Sequence, residues 1–357
     1  MVILLSTTLL IVFFALIKNN NINVEKENKI FFILTAVVLI LVIGLRSRYL
    51  GTTDTDDYAS TFEKLSTYTS FGSYFSGVYE NGKLFIFSEA AFYLFCYLLG
   101  KISNNAQILI FITSAINIIS ALIFIKKNSK NTEVSTIGFI CLGALTFSMN
   151  GMRQALAMSI CLLGYEFVKK KKFILFLLTV ILATLFHKTA FIFLIAYFIY
   201  NMKWNKINIS LLLISLIVFV LYVNKIAVVF DKLVDKNYAE GDSFTKGGYV
   251  TVLIYLLCLG ITLLNRNILK NDVNIRASFV LSTFGLFLYL ARYFSTQIYE
   301  RASYYFFFFI LILLSSIVDE SENKNLMRLI VIILSIFLFA YRLIGSGFED
   351  YKFFFMQ

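Results

Sequence analysis

Proline is absent from this chain, histidine and tryptophan each occur once, and charged side chains make up only 15% of it. Each shortage excludes something. Without proline, no ring removes a backbone donor or forces a helix to kink, so helices must end for other reasons. So low a charged fraction falls well short of the quarter typical of soluble domains. The four cysteines, Cys96, Cys141, Cys161 and Cys258, all lie inside apolar runs without a CxxC spacing. They read as small buried hydrophobes rather than zinc or iron–sulfur ligands. No P-loop, GxSxG, HExxH or Rossmann pattern is found, so ATP-driven work and those hydrolase chemistries have no support. No nucleotide, metal or other cofactor is expected.

What the chain does have is apolar length. Apolar residues make up 59% of it and the mean hydropathy is +0.81. Repeated apolar runs of about 15–23 residues predict a polytopic membrane protein. The runs lack the period-2 alternation of barrel strands, so the fold class is all-α. The expected spans are 2–17, 30–45, 106–125, 134–149, 152–168, 172–186, 188–200, 207–229, 249–264, 276–293, 302–318 and 326–344. That makes about twelve helices in one membrane domain covering 1–357, within a range of 11–14. The first run has no basic residue before it and no small-residue cleavage site, so it reads as a retained span.

The net charge of +11 would fit a nucleic-acid partner in a soluble protein. Here the basic residues sit in short loops instead: Lys126/Lys127/Lys130, Lys169–Lys172, Lys203/Lys206, Arg266/Lys270/Arg276 and Lys324/Arg328. Alternating spans put all of these on one side, and positive-inside bias makes that side cytoplasmic. No nucleic acid is expected, and both termini face outward. Two outer regions are long enough to act as lids or binding surfaces, 46–105 and 230–248. Leu84–Leu99 is apolar but contains Glu89. It is expected as an interfacial or re-entrant segment of the first outer loop, the alternative being a thirteenth span. Tyr58, Phe62 and Leu65 have i, i+4, i+7 spacing, which predicts a short amphipathic helix.

Of the nine arginines, Arg46, Arg48, Arg153, Arg292, Arg301 and Arg342 fall at or near outer ends of spans, against the orientation signal. They either snorkel from helix ends or form a recessed cluster. Guanidinium is a planar, permanently charged fork that grips phosphate oxygens bidentately, so a cluster would suit a lipid-linked phosphate or pyrophosphate. Residues 150–204 sharpen this. Helices over 153–169 and 172–187 would rise roughly 24 and 22 Å. Crossing, turning at the four lysines and returning brings Arg153 and His187 to the same membrane face. Ionisable groups at such depth are site candidates by default, and histidine titrates in a range suited to proton transfer. His187 could equally be a buried structural residue. Asp54 and Asp57 either favour the start of the amphipathic helix or serve as general base and sugar ligand. Glu300 either pairs locally with an arginine or binds substrate. Tyr289, Tyr293, Tyr299, Tyr304 and Tyr305 read as an interface belt or a sugar-stacking platform.

Three motifs resemble one family. Arg48-Tyr49-Leu50-Gly51-Thr52 with the following aspartates and Tyr58 is similar to the "R-Y-x-G-x-D…Y" stretch of the EpsG family. Gly151-Met152-Arg153-Gln154-Ala155-Leu156-Ala157 resembles its "R-Q-x-x-A" helix start. Leu182-Ala183-Thr184-Leu185-Phe186-His187-Lys188-Thr189-Ala190 resembles its "A-x-x-F-H-x-(S/T)-A" segment. The resemblance covers roughly 30–310 and implies a Wzy-type polysaccharide polymerase with a glycosyltransferase C-like bundle. It implies a bacterial cytoplasmic-membrane enzyme that joins undecaprenyl-pyrophosphate-linked oligosaccharide repeats into capsule, exopolysaccharide or O-antigen on the outer face. Further partners would be a chain-length regulator and a flippase of the same pathway. On that reading His187, Arg153 and Asp54 are catalytic. Arg153, Arg292, Arg301, Arg48 and Arg46 hold pyrophosphate, and Tyr58, Gln154, Asp57 and Glu300 contact substrate. The alternatives are a polysaccharide ligase or single-sugar transferase on the same scaffold, or a lipid-linked oligosaccharide flippase.

Overall fold

The computed structural model describes residues 1–17, 24–50, 54–68, 70, 89–234, 248–265, 269, 272–293 and 297–356. Among them the protein is helical, and the only β pairing is an isolated antiparallel bridge between Arg46 and Phe353. The helices are α1 (Val2–Ile17), α2 (Val24–Gly44), α3 (Asp54–Ser66), α4 (Ala90–Gly100), α5 (Gln107–Asn128), α6 (Thr132–Cys141), α7 (Ala144–Asn150), α8 (Met152–Lys169) and α9 (Phe173–Phe186). A 3-10 helix, Lys188–Leu194, follows. Then come α10 (Ile195–Asn201), α11 (Lys206–Leu221), α12 (Val223–Val234), α13 (Tyr249–Leu264), α14 (Val273–Ala291), α15 (Gln297–Asp319) and α16 (Lys324–Leu343).

Every apolar run expected to span is helical, because uninterrupted Leu, Ile, Phe and Val leave no competing backbone partner. Short polar residues start several of these helices. Asn131, Asn205, Asp272 and Asn323 each accept a backbone N–H from the first turn of α6, α11, α14 and α16, satisfying donors that the helix itself cannot. Three of the four caps, Asn131, Asn205 and Asn323, directly adjoin a lysine of the basic loops.

Length alone supports only part of the expected count of spans. Among the described residues four helices are long and apolar enough to cross a bilayer: α5, α14, α15 and α16. The number rises to six if two bent pairs each count once, α6–α7 (45°) and α11–α12 (80°). Helices such as α1, α9 and α13 are apolar but only 14–16 residues long, short of the roughly 20 that a hydrocarbon core requires. Four to six of the expected twelve therefore meet the requirement. The α6–α7 bend falls at Gly143, whose φ of 112° is open to glycine. The Leu142 carbonyl beside it accepts Arg342 Nη1 at 2.9 Å. A helix broken at membrane depth is tolerated when another group takes the freed carbonyl.

The basic loops gather at one end. Lys169 Nζ reaches Asn128 Oδ1 at 3.0 Å, Asn274 Nδ2 donates to the Asn128 carbonyl at 3.3 Å, and Lys130 pairs with Glu320 at 2.7 Å. The chain reverses at His187, which is extended (φ −153°, ψ 119°). Past it, Tyr197 returns to meet Phe173 edge-on and to stack on Phe176, and its hydroxyl donates to the Lys171 carbonyl at 3.1 Å. His187 and the start of α8 therefore lie at the end opposite the lysines. The crossing of α8 and α9 is tight: a Cβ on Gly164 would lie 3.1 Å from Thr179 Cβ, and small residues allow such approaches in membranes.

At the centre of the bundle is α15, 83% buried over its spanning stretch, while α16 is 22% buried. Ile330, Ile333, Leu334 and Phe337 of α16 face outward, a continuous apolar stripe that requires an apolar solvent. This is a membrane protein. The outer region 46–105 carries two described helices. α3 buries Thr55, Ala59, Phe62 and Leu65, one residue round from the expected face, with Tyr58 at its margin. α4, 11 residues long, packs against α3 and α9 and is too short to cross. Residues 84–88 and most of 230–248 lie outside the described residues.

Candidate functional site

A carboxylate organises the end opposite the lysines. Glu89 immediately precedes α4 with φ 58° and ψ 40°, a left-handed conformation that costs a non-glycine residue about 1–3 kcal/mol. It is 4% exposed. One oxygen lies 2.6 Å from His187 Nδ1, and the other accepts a hydrogen bond from Arg153 Nη1. Each partner is placed by a helix end. Arg153 is the second residue of α8, just after Gly151, and His187 terminates α9. A charge buried alone would be prohibitive, and a paired one is tolerated only when its lone pairs are met. Here one carboxylate oxygen accepts from Arg153 and the other faces the His187 ring.

The chemistry follows from which nitrogen is engaged. His187 Nδ1 faces Glu89 Oε1; were the ring proton on that nitrogen, a neutral imidazole would carry its lone pair on Nε2. A carboxylate that fixes tautomer and ring orientation is the arrangement by which histidine serves as a general base.

Aromatic and amide groups complete this corner. The Arg153 guanidinium lies 5.1 Å from the centre of the Tyr58 ring and 5.8 Å from that of Phe92. Burial raises the Tyr58 phenol above its ordinary pKa, against the opposing pull of Arg153. Gln154 Nε2 donates to the backbone carbonyl of Arg301, which ties α8 to α15. Thr189, two residues after His187, meets the Tyr305 hydroxyl at 3.4 Å. Arg301 is within electrostatic reach of both Tyr58 and Tyr305.

A second polar space opens on another side of α15. A cavity of about 640 Å³ is lined by residues that include Gly248, Thr251, Tyr289, Arg292, Glu300, Tyr304 and Arg342. Arg292 pairs with Glu300 at 2.6 Å and lies over the Tyr289 and Tyr293 rings, 4.5 and 4.9 Å from their centres. Arg342 Nη1 holds the Leu142 carbonyl and contacts Thr251 Oγ1 at 3.4 Å. His187 and Arg153 are not in the lining.

The structure thus sorts the residues singled out by sequence. Arg153, His187, Tyr58, Gln154 and Arg301 share one corner, while Arg292 and Glu300 line the cavity. Arg46 belongs to neither. It is fully buried and donates to the Ile43 carbonyl, Ser114 Oγ and the Met149 carbonyl at 2.6–3.0 Å. These are the bonds of a strut between α2, α5 and α7. Arg48 is engaged by Asp56, Ser60 and Glu63 on the partly exposed side of α3. Asp54 opens α3 within electrostatic reach of Tyr58, and Asp57 is exposed. Tyr299 reaches the Val223 carbonyl and Tyr305 is enclosed. Tyr293 stacks on Tyr249 at 5.9 Å. The tyrosines do not form one platform.

Two residues escaped the sequence-level site list. Glu89 announced itself as the single acid in an apolar run, a signal as strong as those of Arg153 and His187. Arg342 was visible only as one of six outer arginines. Among the described residues no group of three or more His, Cys, Asp or Glu side chains is arranged to hold a metal ion. A family model described as the EpsG family matches residues 29–355. No curated protein and no solved structure matches the chain.

Proposed function

The chain belongs to the EpsG family, which is associated with Wzy-type polymerases, and on that premise we propose that it polymerises undecaprenyl-pyrophosphate-linked oligosaccharide repeats. The reaction takes place at the end that holds Glu89, on the outer face of a bacterial cytoplasmic membrane. Positive-inside bias supports that orientation, since the basic loops occupy the other end. Connectivity favours further crossings beyond the long helices, because α8 runs from the Glu89 end to the lysine end and α9 returns.

The observation that carries this reading is the Glu89 carboxylate shared between His187 and Arg153. In the proposed step a sugar hydroxyl of the incoming lipid-linked unit attacks the anomeric carbon of the growing chain. Its proton passes to His187 Nε2 while Glu89 holds Nδ1–H. The bond from the anomeric carbon to the lipid pyrophosphate oxygen breaks, and the pyrophosphate leaves with the bonding pair. Arg301 and Arg153 are preorganised cations near that developing charge, an effect larger in a water-poor site than in water. Tyr58, Gln154 and Asp54 shape the corner in which the hydroxyl is presented. A chain-length regulator and a flippase are the pathway partners this activity requires.

The test is a glycan-length gel. Purified protein supplied with lipid-linked repeats makes a ladder of products, and His187→Ala at equal folded concentration leaves only single repeats. A single product size from the unaltered protein points to a ligase and refutes polymerisation.

A further inference from the structure

The outward residues of α11, Leu211, Ile214 and Ile217, are more than half exposed, as befits a helix in lipid. Its other side borders a groove of about 300 Å³ shared with α10 and α14, whose walls include Ile209, Leu212, Phe219, Val280, Thr283 and Ile199. The hydroxyls of Thr283 and Ser215 line it too, but they donate back to the Phe279 and Leu212 carbonyls of their own helices, both at 2.8 Å. The walls therefore suit an apolar chain. From Ile209 to Phe219 the groove follows α11 for roughly 15 Å at 1.5 Å per residue. That is one leaflet's share of a hydrocarbon core of roughly 30 Å. Phe219 and Phe284, with ring centres 6.5 Å apart, stand at its far end.

The near end of the groove lies beside the first turn of α14 and is basic. Trp204, the single tryptophan of the chain, lines this mouth, with the Arg276 guanidinium 5.9 Å from its ring centre. Lys203 and Lys206 flank it in sequence and are exposed. Their turn is firmly built: Asn205 N and Asn208 Nδ2 both donate to the Lys203 carbonyl, at 3.0 and 2.8 Å, and Asn205 Oδ1 accepts the Asn208 N–H. Asp272, one turn before Arg276, is occupied by its own helix, accepting the N–H groups of Asn274 and Ile275. On the other side of α10, Tyr197 and Asn201 hold the Lys171 and Val168 carbonyls of the lysine turn. There Lys171 keeps φ 56° with its side chain exposed, in a conformation that glycine would adopt without strain. Tryptophan belongs at the membrane interface, and basic pockets between spans on the cytoplasmic side suit anionic headgroups.

We propose that this groove seats one acyl chain of an anionic phospholipid from the leaflet at the lysine end, with Lys203, Lys206 and Arg276 around its phosphate and Trp204 beside its ester region. The site is independent of the polymerase reading. It shares with that reading only the orientation that makes this leaflet cytoplasmic.

Trp204 is the probe. The full chain is reconstituted in phosphatidylcholine vesicles, and its fluorescence is quenched by a minor share of lipid brominated near the start of its acyl chains. Brominated phosphatidylglycerol is expected to be preferred over brominated phosphatidylcholine roughly twentyfold, about fivefold for each of the two lysines. Lys203→Gln with Lys206→Gln is expected to remove most of that preference. Thr283→Phe fills the groove, leaves the lysines in place, and is expected to remove it as well. Each variant is compared as a monodisperse fraction from size exclusion. Equal quenching by the two lipids means ordinary boundary lipid and overturns the site. A preference that survives either the lysine pair or Thr283→Phe overturns it too. Undecaprenyl phosphate that relieves the quenching better than unlabelled phosphatidylglycerol reassigns the groove to a polyprenyl chain and refutes the phospholipid.

Discussion

Replacing Glu89 by glutamine tests the centre of the site with the least change of shape. The amide oxygen can accept from Arg153 or from His187 Nδ1. The amide NH2 then faces the other donor, which loses its acceptor. Removing one partner of a buried ion pair costs about 3–5 kcal/mol, and the surviving bond sets the expected loss at the lower end, about 3 kcal/mol. Catalysis should suffer more. A positioned general base contributes a factor of about 10²–10⁴, and most of that is forfeited when the ring is no longer held with Nδ1–H toward an anion. The assay is the rate of ladder growth from lipid-linked repeats, normalised to folded protein by size exclusion, with thermal unfolding in the same detergent. Glu89→Asp keeps the charge and withdraws it by one methylene, so it should retain more activity than Glu89→Gln. A Glu89→Gln protein that builds full-length polymer at the unaltered rate refutes the role given to the carboxylate. So does one whose rate falls only in proportion to its unfolded fraction.

Arg46→Gln should destabilise the protein by about 2–4 kcal/mol, because it strips donors from three buried oxygens, while polymer made per folded molecule is retained. Loss of lipid affinity without a thermal shift would contradict its role as a strut. Gly164→Val should force α8 and α9 apart at Thr179, at a cost of about 1–3 kcal/mol for overpacking, and reduce activity by parting Arg153 from His187; normal unfolding temperature and activity together would refute the tight crossing. The four native cysteines are buried, so Lys170→Cys and Asp57→Cys should label with an impermeant maleimide from opposite sides of the membrane, Asp57→Cys from outside. Labelling from one side would overturn the two-ended arrangement. Polymerisation should continue in excess chelator, and its abolition, restored by a divalent cation, would show that the arginines do not suffice to neutralise the pyrophosphate.

Much of the fold was legible because apolar runs and basic loops carry their own periodicity and punctuation. Phe173–Phe186 and Tyr249–Leu264 fall within a residue of their expected bounds for that reason. What the pattern could not convey is how a run is partitioned. The bend at Gly143 interrupts a stretch of nearly unbroken hydropathy and is held by Arg342, nearly two hundred residues away in sequence, while the one at Tyr222 comes just before Asn224 and Lys225. That Arg153 and His187 share one end followed from counting crossings, since Arg153 opens α8 and His187 closes α9. Glu89 could not be added by counting, because it arrives from a segment outside those crossings. The arginines show the same limit. All six outer guanidiniums looked alike in sequence, and only packing separates Arg46, enclosed among carbonyls, from Arg342 at an open cavity.

The backbone of Arg301 is gripped by Gln154 while Glu300, its neighbour, salt-bridges Arg292. Successive residues on a helix point about 100° apart, so one turn of α15 acts as a party wall with a tenant on each side. Turning that wall to release Glu300 must also tug the carbonyl that Gln154 holds. Both contacts ride on one turn of a single straight helix, so a one-residue insertion just below Tyr304 would swing the pair about 100° away from the residues that follow it.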